Sequence, residues 1–182
     1  EMIHKQIALA VTEIQNRLRQ QKETGIFVPW KEPDIQEEIR MIQEKGTLSI
    51  RDKVEFLTIA DACNCFRRKP YRGMQKSYFH IGLDYQIWFP QLAIERENQV
   101  KAPSGKRWIN LLSHDGKILK EYNDLRVKTK DSGRDRKRIT FARSRNIHGK
   151  TAYRFVGVFS YQETVKENGR GIKIYQGIAD SV

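Results

Sequence analysis

Arginine and lysine side chains concentrate in one stretch of the chain, where they could neutralise the phosphates of a nucleic acid. Between Lys101 and Lys150 there are 15 Lys or Arg residues against 5 Asp or Glu, whereas the whole chain carries a net charge of +12. Such a concentrated field attracts a polyanion because each neutralised phosphate releases a counterion. Arginine can also read a guanine edge through two hydrogen bonds. The stretch therefore predicts contact with nucleic acid.

A second basic cluster, at residues 67–76, interleaves positive side chains with tyrosine. Aromatic rings beside arginines can stack on bases or brace an extruded nucleotide. Tyr71, Trp88 and Trp108 are the base-stacking candidates, although for Trp88 the pattern favours a place in the core. The basic residues expected to contact nucleic acid in the two clusters are Arg67, Arg68, Arg72, Lys106, Arg107, Arg126, Lys128, Lys130, Arg134, Arg136, Arg138, Arg143 and Arg145.

Carboxylates that could hold Mg²⁺ for a nuclease are few. Asp84, Glu95 and Glu97 form the best set, but charged residues after a strand are usually only exposed. The Glu-x-Lys pattern that is common in metal-dependent nucleases does not occur in the sequence. The four histidines are scattered, without a Ser–His–Asp order or a metal-binding pair. The sequence thus favours a non-catalytic module with no catalytic residues, no metal and no cofactor, and it keeps a Mg²⁺-dependent nuclease as the alternative.

The cysteine content and hydropathy indicate the cellular setting. Cys63 and Cys65 are one residue apart, a spacing that would strain a disulfide and that cannot complete a zinc site without further ligands. We expect two reduced thiols, as is usual in a reducing compartment. No apolar run is long enough to cross a bilayer and no signal peptide pattern opens the chain. A cytoplasmic protein, associated with the nucleoid if bacterial, is expected.

The elements that would position these residues fall into two halves. Apolar residues spaced by three or four predict an amphipathic helix over residues 2–22. Pro33 and Asp34 begin a second helix, which Gly46 ends. The Ser49 to Asp52 capping box opens a third helix that includes Val54 and Leu57. Residues 1–65 are therefore predicted to form a helical segment.

The remainder, residues 66–182, changes to short alternating runs separated by glycine turns, which is typical of β-strands. The predicted strands cover residues 78–89, 107–112, 117–122, 138–143, 153–161 and 172–178. The fold class is α+β, with the helical N-terminal segment followed by an antiparallel β-barrel or pseudo-barrel that binds DNA. Within 138–143 we expect Ile139 and Phe141 to face inward, with Arg138 and Thr140 outward.

Three motifs in the β half resemble the C-terminal domain of modification-dependent restriction helicases. They are Ala102-Pro-Ser-Gly-Lys-Arg-Trp-Ile109, Ile139-Thr-Phe-Ala-Arg143 and Tyr153-Arg-Phe-Val-Gly-Val-Phe-Ser-Tyr161. The resemblance covers roughly residues 85–182 and implies a DNA-reading β-barrel that recognises modified cytosine. It also implies that Trp88, Arg107, Trp108 and Arg143 lie near the reading surface.

A second resemblance rests on Tyr122-Asn123 and Arg136-Lys-Arg-Ile-Thr140. These residues look like the pseudo-barrel domain shared by plant transcription factors and the effector-binding half of some restriction endonucleases. That family reads sequence in the major groove with two arms. Here Phe141-Ala142-Arg143-Ser144 departs from its Trp-Gly-Arg pattern.

Both resemblances imply one role, the duplex-DNA recognition module of a restriction or defence protein. The module would read a specific sequence or a modified base, and a nuclease or ATPase domain or subunit would be its partner. An RNA-binding barrel is the remaining alternative, since a basic β surface also suits structured RNA.

Overall fold

The structure is a computed structural model that describes residues 11–16, 34–67, 73, 76–96, 99–101, 108–123, 136–145 and 149–182, the side chains of 94–101 excepted. The chain forms two compact units, residues 1–34 and residues 35–182. In the first unit, residues 11–16 are helical and exposed. They confirm part of the predicted helix over 2–22, and the rest of that prediction lies outside the described residues. The predicted boundary between residues 65 and 66 stays a prediction.

The second unit opens with helix α1, Ile35–Lys45, which has the predicted bounds. Ile39 and Ile42 are buried and belong to the hydrophobic core that the helix shares with the sheet. Gly46 ends the helix in the left-handed region at φ 71°, and its N–H donates to the Ile42 carbonyl at 2.9 Å. A glycine suits this position because it carries no Cβ to clash there.

The predicted third helix is wrong, although its capping box is present. Ser49 and Asp52 cap only the short 3-10 helix Ile50–Asp52, which stops at Lys53 in the left-handed region at φ 56°. The chain then forms strand β1, Glu55–Phe56, before Thr58 caps helix α2, Ile59–Asn64. Leu57, which the predicted helix would have buried, is exposed, and Phe56 enters the core from the strand instead.

Nine further strands follow in the described part of the chain; seven lie close to the predicted positions, whereas those at 94–96 and 99–101 were not predicted. The nine are β2 (Tyr78–Ile81), β3 (Tyr85–Trp88), β4 (Ile94–Arg96), β5 (Gln99–Lys101), β6 (Trp108–Leu112), β7 (Ile118–Asn123), β8 (Lys137–Arg145), β9 (Thr151–Glu167) and β10 (Arg170–Ala179). The main sheet has the order β2-β3-β8-β9-β10-β7-β6, with β1 paired to β9, while β4 and β5 pair separately. All pairs in the main sheet are antiparallel except β3–β8, which is parallel.

The main sheet is curved but open. Directly after β3, Gln91 bridges Arg143 of β8 and Leu92 bridges Asn110 of β6. Because three strands separate β8 from β6 in the sheet, it must curve for one dipeptide to reach both. The fold is mostly β-sheet with few helices, which is compatible with the α+β prediction. The predicted barrel is not closed, since β2 and β6 remain sheet edges in the described part.

The two faces of the curved sheet have different cores. On the convex face α1, α2 and Phe56 pack against Ile139 and Phe141 in the larger cluster. On the concave face Trp88, Leu119, Phe159 and Tyr175 form the smaller one. Across the described chain, no helix is long and apolar enough to cross a membrane.

Candidate nucleic-acid interface

The concave face collects buried polar side chains. Strand alternation and register place Gln86 and Trp88 of β3, Arg138 and Thr140 of β8, and Asn110 of β6 on this face. All four polar residues of this set are buried. The prediction that Arg138 and Thr140 point outward to solvent is therefore wrong, because the curved sheet shields its concave face as the helices shield the convex one. Polar groups inside such a basin mark it as the candidate site.

A stacked group forms the floor of this basin. The Arg138 guanidinium carbon lies 4.2 Å from the centre of the Tyr175 ring and 5.5 Å from that of Trp88. The Trp88 and Tyr175 rings are 5.3 Å apart, and Tyr161 meets Tyr175 edge-on at 5.9 Å. Arginine lies over aromatic faces because the ring quadrupole attracts the cation. The floor thus combines a fixed positive charge with flat apolar rings.

The wall formed by β6, β7 and β10 carries charged groups. The Tyr175 hydroxyl donates to Glu121 Oε2 at 3.1 Å, and Lys173 Nζ lies 3.7 Å from the same oxygen. The Lys173 ammonium also sits 5.5 Å from the centre of the half-buried Trp108 ring. This wall therefore offers a carboxylate acceptor, an ammonium donor and an aromatic surface within one cluster.

Asn110, directly opposite Glu121 in the β6–β7 ladder, adds a polar group with an unused acceptor. The side-chain Nδ2 of Asn110 donates to the Gln91 backbone carbonyl at 3.3 Å, and the backbone carbonyl of Asn110 accepts from the Ala93 N–H at 2.8 Å. Its buried Oδ1 has no hydrogen-bond partner among the described residues. A buried acceptor left without a donor costs about 1–3 kcal/mol, so it calls for an explanation.

Basic residues approach the basin at one end of the sheet. The strand directions bring the start of β6, the end of β7 and the start of β8 to the same end. Here Arg136 Nε donates to the Leu83 carbonyl at 3.0 Å, and Lys137 N–H donates to the Asp84 carbonyl at 2.8 Å. Lys137 Nζ lies 5.5 Å from the Tyr85 ring centre. These contacts fix the β2–β3 turn beside the start of β8.

Several predicted DNA contacts are described but lie apart from the basin. Arg67 is exposed, with its guanidinium 5.8 Å from the Phe79 ring centre. Arg143 lies near the other end of β8, where its Nη1 is 3.5 Å from Gln91 Oε1, and Arg145 is exposed two residues further on. The predicted residues outside the described part of the chain are Arg68, Tyr71, Arg72, Lys106, Arg107, Arg126, Lys128, Lys130 and Arg134.

The alternative nuclease site is only partly described. Asp84 is exposed in the β2–β3 turn, whereas Glu97 and the Glu95 side chain lie outside the description. Within the described residues no three His, Cys, Asp or Glu side chains are grouped to hold a metal ion. A pocket of about 380 Å³ opens beside α1 and α2. Its lining, which includes Ile42, Leu48 and Val182, is mainly apolar and belongs to the helical side.

Sequence reasoning missed Gln86, Asn110, Glu121, Lys173 and Tyr175. Each looks like an ordinary strand residue, and only the curvature of the sheet brings the five to one face. Asn110 offered one signal, since an amide in the middle of the apolar run Ile109 to Leu112 is unfavourable in a strand.

Residues 41–182, more than half of the chain, match the family described as SRA, the SET and RING associated domain. The chain belongs to the SRA family. Among solved structures this SRA domain is similar to the 5-hydroxymethylcytosine-specific restriction enzyme AbaSI, with a TM-score of 0.61 and 27% sequence identity. The match covers 99% of this chain and 55% of AbaSI, so the chain spans about half the length of that enzyme. No curated protein matches the chain significantly.

The two matches confirm the predicted class, a DNA-reading domain of modification-dependent restriction systems. The matching family is SRA, not the pseudo-barrel domain of the second resemblance.

Proposed function

We propose that this SRA domain reads a modified cytosine in duplex DNA by taking the extruded base into its concave face. Family membership and the likeness to AbaSI support the choice of base. The observation that carries the proposal is the buried Asn110 Oδ1, which no described group satisfies. A donor on the ligand gives a physical reason for keeping this acceptor in the core.

The groups around the basin complement the hydrogen-bonding edge of cytosine. Its amino group is a donor that carboxylate and amide oxygens accept, and here Glu121 and the Asn110 side chain supply such oxygens. Its ring nitrogen and carbonyl are acceptors, for which Lys173 and Arg138 carry donors. The half-buried Trp108 ring at the rim provides a surface on which the base stacks. The buried Trp88 supports the floor from below.

The predicted basic residues take the surrounding phosphates in this proposal. Arg136 and Lys137 stand at the end of the sheet where residues 102–107 and 124–135 rejoin the described strands. Those two segments contain six of the predicted DNA contacts. Phosphate contacts orient a duplex without reading sequence, so they leave base choice to the basin. The partner of this domain would be a nuclease or ATPase domain or subunit, and cleavage of the DNA would fall to the nuclease.

The variant Asn110→Leu tests the base pocket. It removes the orphan acceptor and keeps a similar volume, so we expect the free energy of unfolding to change by no more than about 1 kcal/mol. In this proposal a plain duplex is held by its phosphates alone and places no base in the pocket. The preference for duplexes with 5-hydroxymethylcytosine or 5-methylcytosine over plain cytosine should therefore fall at least tenfold, about 1.4 kcal/mol. Fluorescence anisotropy with the three duplexes at fixed salt measures the preference, and urea unfolding measures stability.

Asn64→Leu is the matched control, because Asn64 is also a buried asparagine but lies in α2 on the convex side. It should lower stability and leave the ratio between modified and plain duplexes unchanged. The proposal fails if Asn110→Leu is folded and keeps the wild-type ratio, or if the wild-type chain prefers none of the modified duplexes.

A further inference from the structure

Strands β9 and β10 extend beyond the rest of the sheet as a two-stranded arm, residues 162–172. β8 pairs with β9 as far as Phe159, and β7 pairs with β10 as far as Lys173. Past both points three pairs, Val165–Ile172, Lys166–Gly171 and Glu167–Arg170, join only β9 and β10 in the described structure. At about 3.3 Å per residue, the part that projects is roughly 10 Å long.

The sequence of the tip explains why the arm forms. Asn168 and Gly169 have φ values of 50° and 74°, so both central residues of the turn are in the left-handed region. An Asn-Gly pair adopts this geometry readily, and the turn twists in the same sense as the strands that it joins. The tip is therefore a defined hairpin.

The two faces of the arm carry different charges. Directly paired residues of an antiparallel ladder share a face. One face therefore carries Thr164 with Lys173 and Lys166 with Gly171, and it continues the concave face because Lys173 lies over Trp108. The carboxylates Glu163 and Glu167 lie on the opposite face, together with Arg170. The concave side of the arm is thus cationic and has no carboxylate of its own.

Gly171 on this face has no conformational reason to be glycine. It has no positive φ, and a Cβ placed there would meet only the Thr164 methyl at 3.5 Å, an ordinary contact. Glycine in a strand weakens the strand, whereas its missing side chain lets another backbone approach closely. Beside Lys166, an open position of this kind suits a sugar–phosphate chain.

We propose that the arm lies along a groove of the duplex next to the base that the basin reads, with Lys166 on a phosphate and the backbone passing over Gly171. A two-stranded ribbon fits the major groove, which is about 12 Å wide. The proposal rests on the proposed function only in that the ligand is duplex DNA. The arm adds affinity for any sequence, and the basin retains the selection of the base.

Two variants test the arm by titration of plain and hydroxymethylated duplexes over a range of salt concentrations. Lys166→Ala should weaken binding to both duplexes by the same factor, about three- to tenfold, and reduce the salt slope by about 1. Gly171→Val should weaken binding of both duplexes while its melting temperature is unchanged or higher, since valine favours a strand. If Gly171 had only a structural role, this variant would instead lower the melting temperature and leave binding unchanged.

Lys117→Ala is the control, because Lys117 is exposed and lies level with Gly177, six residues along β10 and roughly 20 Å from Gly171. Its affinity should equal that of the wild type. Unchanged affinity and salt slope in Lys166→Ala, or unchanged affinity in Gly171→Val, would overturn the proposal. The loss of affinity in the arm variants is measured on the plain duplex, so it does not depend on base selection. A failure of base selection would appear only in the wild-type ratio between modified and plain duplexes.

Discussion

Arg138 shows how one residue can serve both the core and the site. Its side chain is buried, and it is stacked against Tyr175 and Trp88. A buried cation is expensive to desolvate, and a hydrophobic side chain of similar size is often as stable. Stability alone therefore gives little reason for an arginine here, which is in line with the role proposed for it in binding the base. The same reasoning applies to Asn110.

Cys63 and Cys65 behave differently, because they are buried thiols of the convex core. Burial raises the pKa of Cys63 to about 11 and, with the neighbouring Cys63, that of Cys65 to about 12. A thiol reacts as its thiolate, so both should resist iodoacetamide in the folded protein at pH 8 and react once it is unfolded in urea.

The same shifts make stability depend on pH. The folded pKa values lie above the unfolded value near 9, so the contribution to stability is full below pH 9 and is lost as pH rises to 11 and 12. Replacing both cysteines with alanine should flatten this decline in urea unfolding between pH 9 and 11. Rapid labelling at pH 8, or an unchanged decline in the double variant, would contradict the assignment.

At the scale of elements, strand β9 organises the molecule. It pairs with β8 and β10 along its length, and with β1 at Tyr153 and Arg154. The Arg154 guanidinium also donates to the Glu55 carboxylate of β1. The ladder and this partly buried ion pair connect the helical layer to the sheet. The convex face is thereby closed, and the concave face is left for the site.

Gly157 provides the irregularity that β9 needs, and its replacement is predicted to be costly. The register between β8 and β9 shifts next to it, its φ is 122°, and a Cβ would lie 3.0 Å from the Ala179 carbonyl oxygen. Gly157→Ala should therefore lower the free energy of unfolding by about 2–3 kcal/mol. Urea unfolding measures the loss. Gly171→Ala is the control and should change stability by less than about 0.5 kcal/mol, and an equally small change at Gly157 would refute the argument.

Local sequence patterns predicted the elements better than their arrangement. The glycine turns and β-branched runs located six strand regions, and the Pro33 to Gly46 signals located α1. The helix predicted from Ser49 failed because the pairing of β1 with β9, a contact about a hundred residues away, overrides local propensity. The prediction that Arg138 and Thr140 of β8 face solvent was wrong for a similar reason. Alternation identifies the two faces of a strand, but it does not reveal a sheet curvature that buries both.

At the scale of the whole molecule, the charge and the polar basin meet at one end of the sheet. Residues 102–107 and 124–135, which join the strands there, carry six Lys or Arg against three Asp. In the proposed function, the basic residues of these segments attract the DNA, and the strands below them select the base. The sequence predicted the first of these from composition. It could not predict the second, because Asn110, Glu121 and Tyr175 come together only through the sheet order.

Where the folding unit begins can be decided with two fragments. Residues 35–182 form one compact unit, and α1, β1 and the segment between them contribute Ile39, Ile42, Leu48 and Phe56 to its convex core. Each such side chain is worth about 1.5–3 kcal/mol when buried, so their sum approaches the 5–15 kcal/mol that holds a domain together. Fragment 35–182 should unfold cooperatively and keep the preference for modified cytosine, whereas fragment 66–182 should show no cooperative transition in urea. A cooperative transition in 66–182 would instead support a barrel domain that begins at residue 66, with the preceding helices only attached to it.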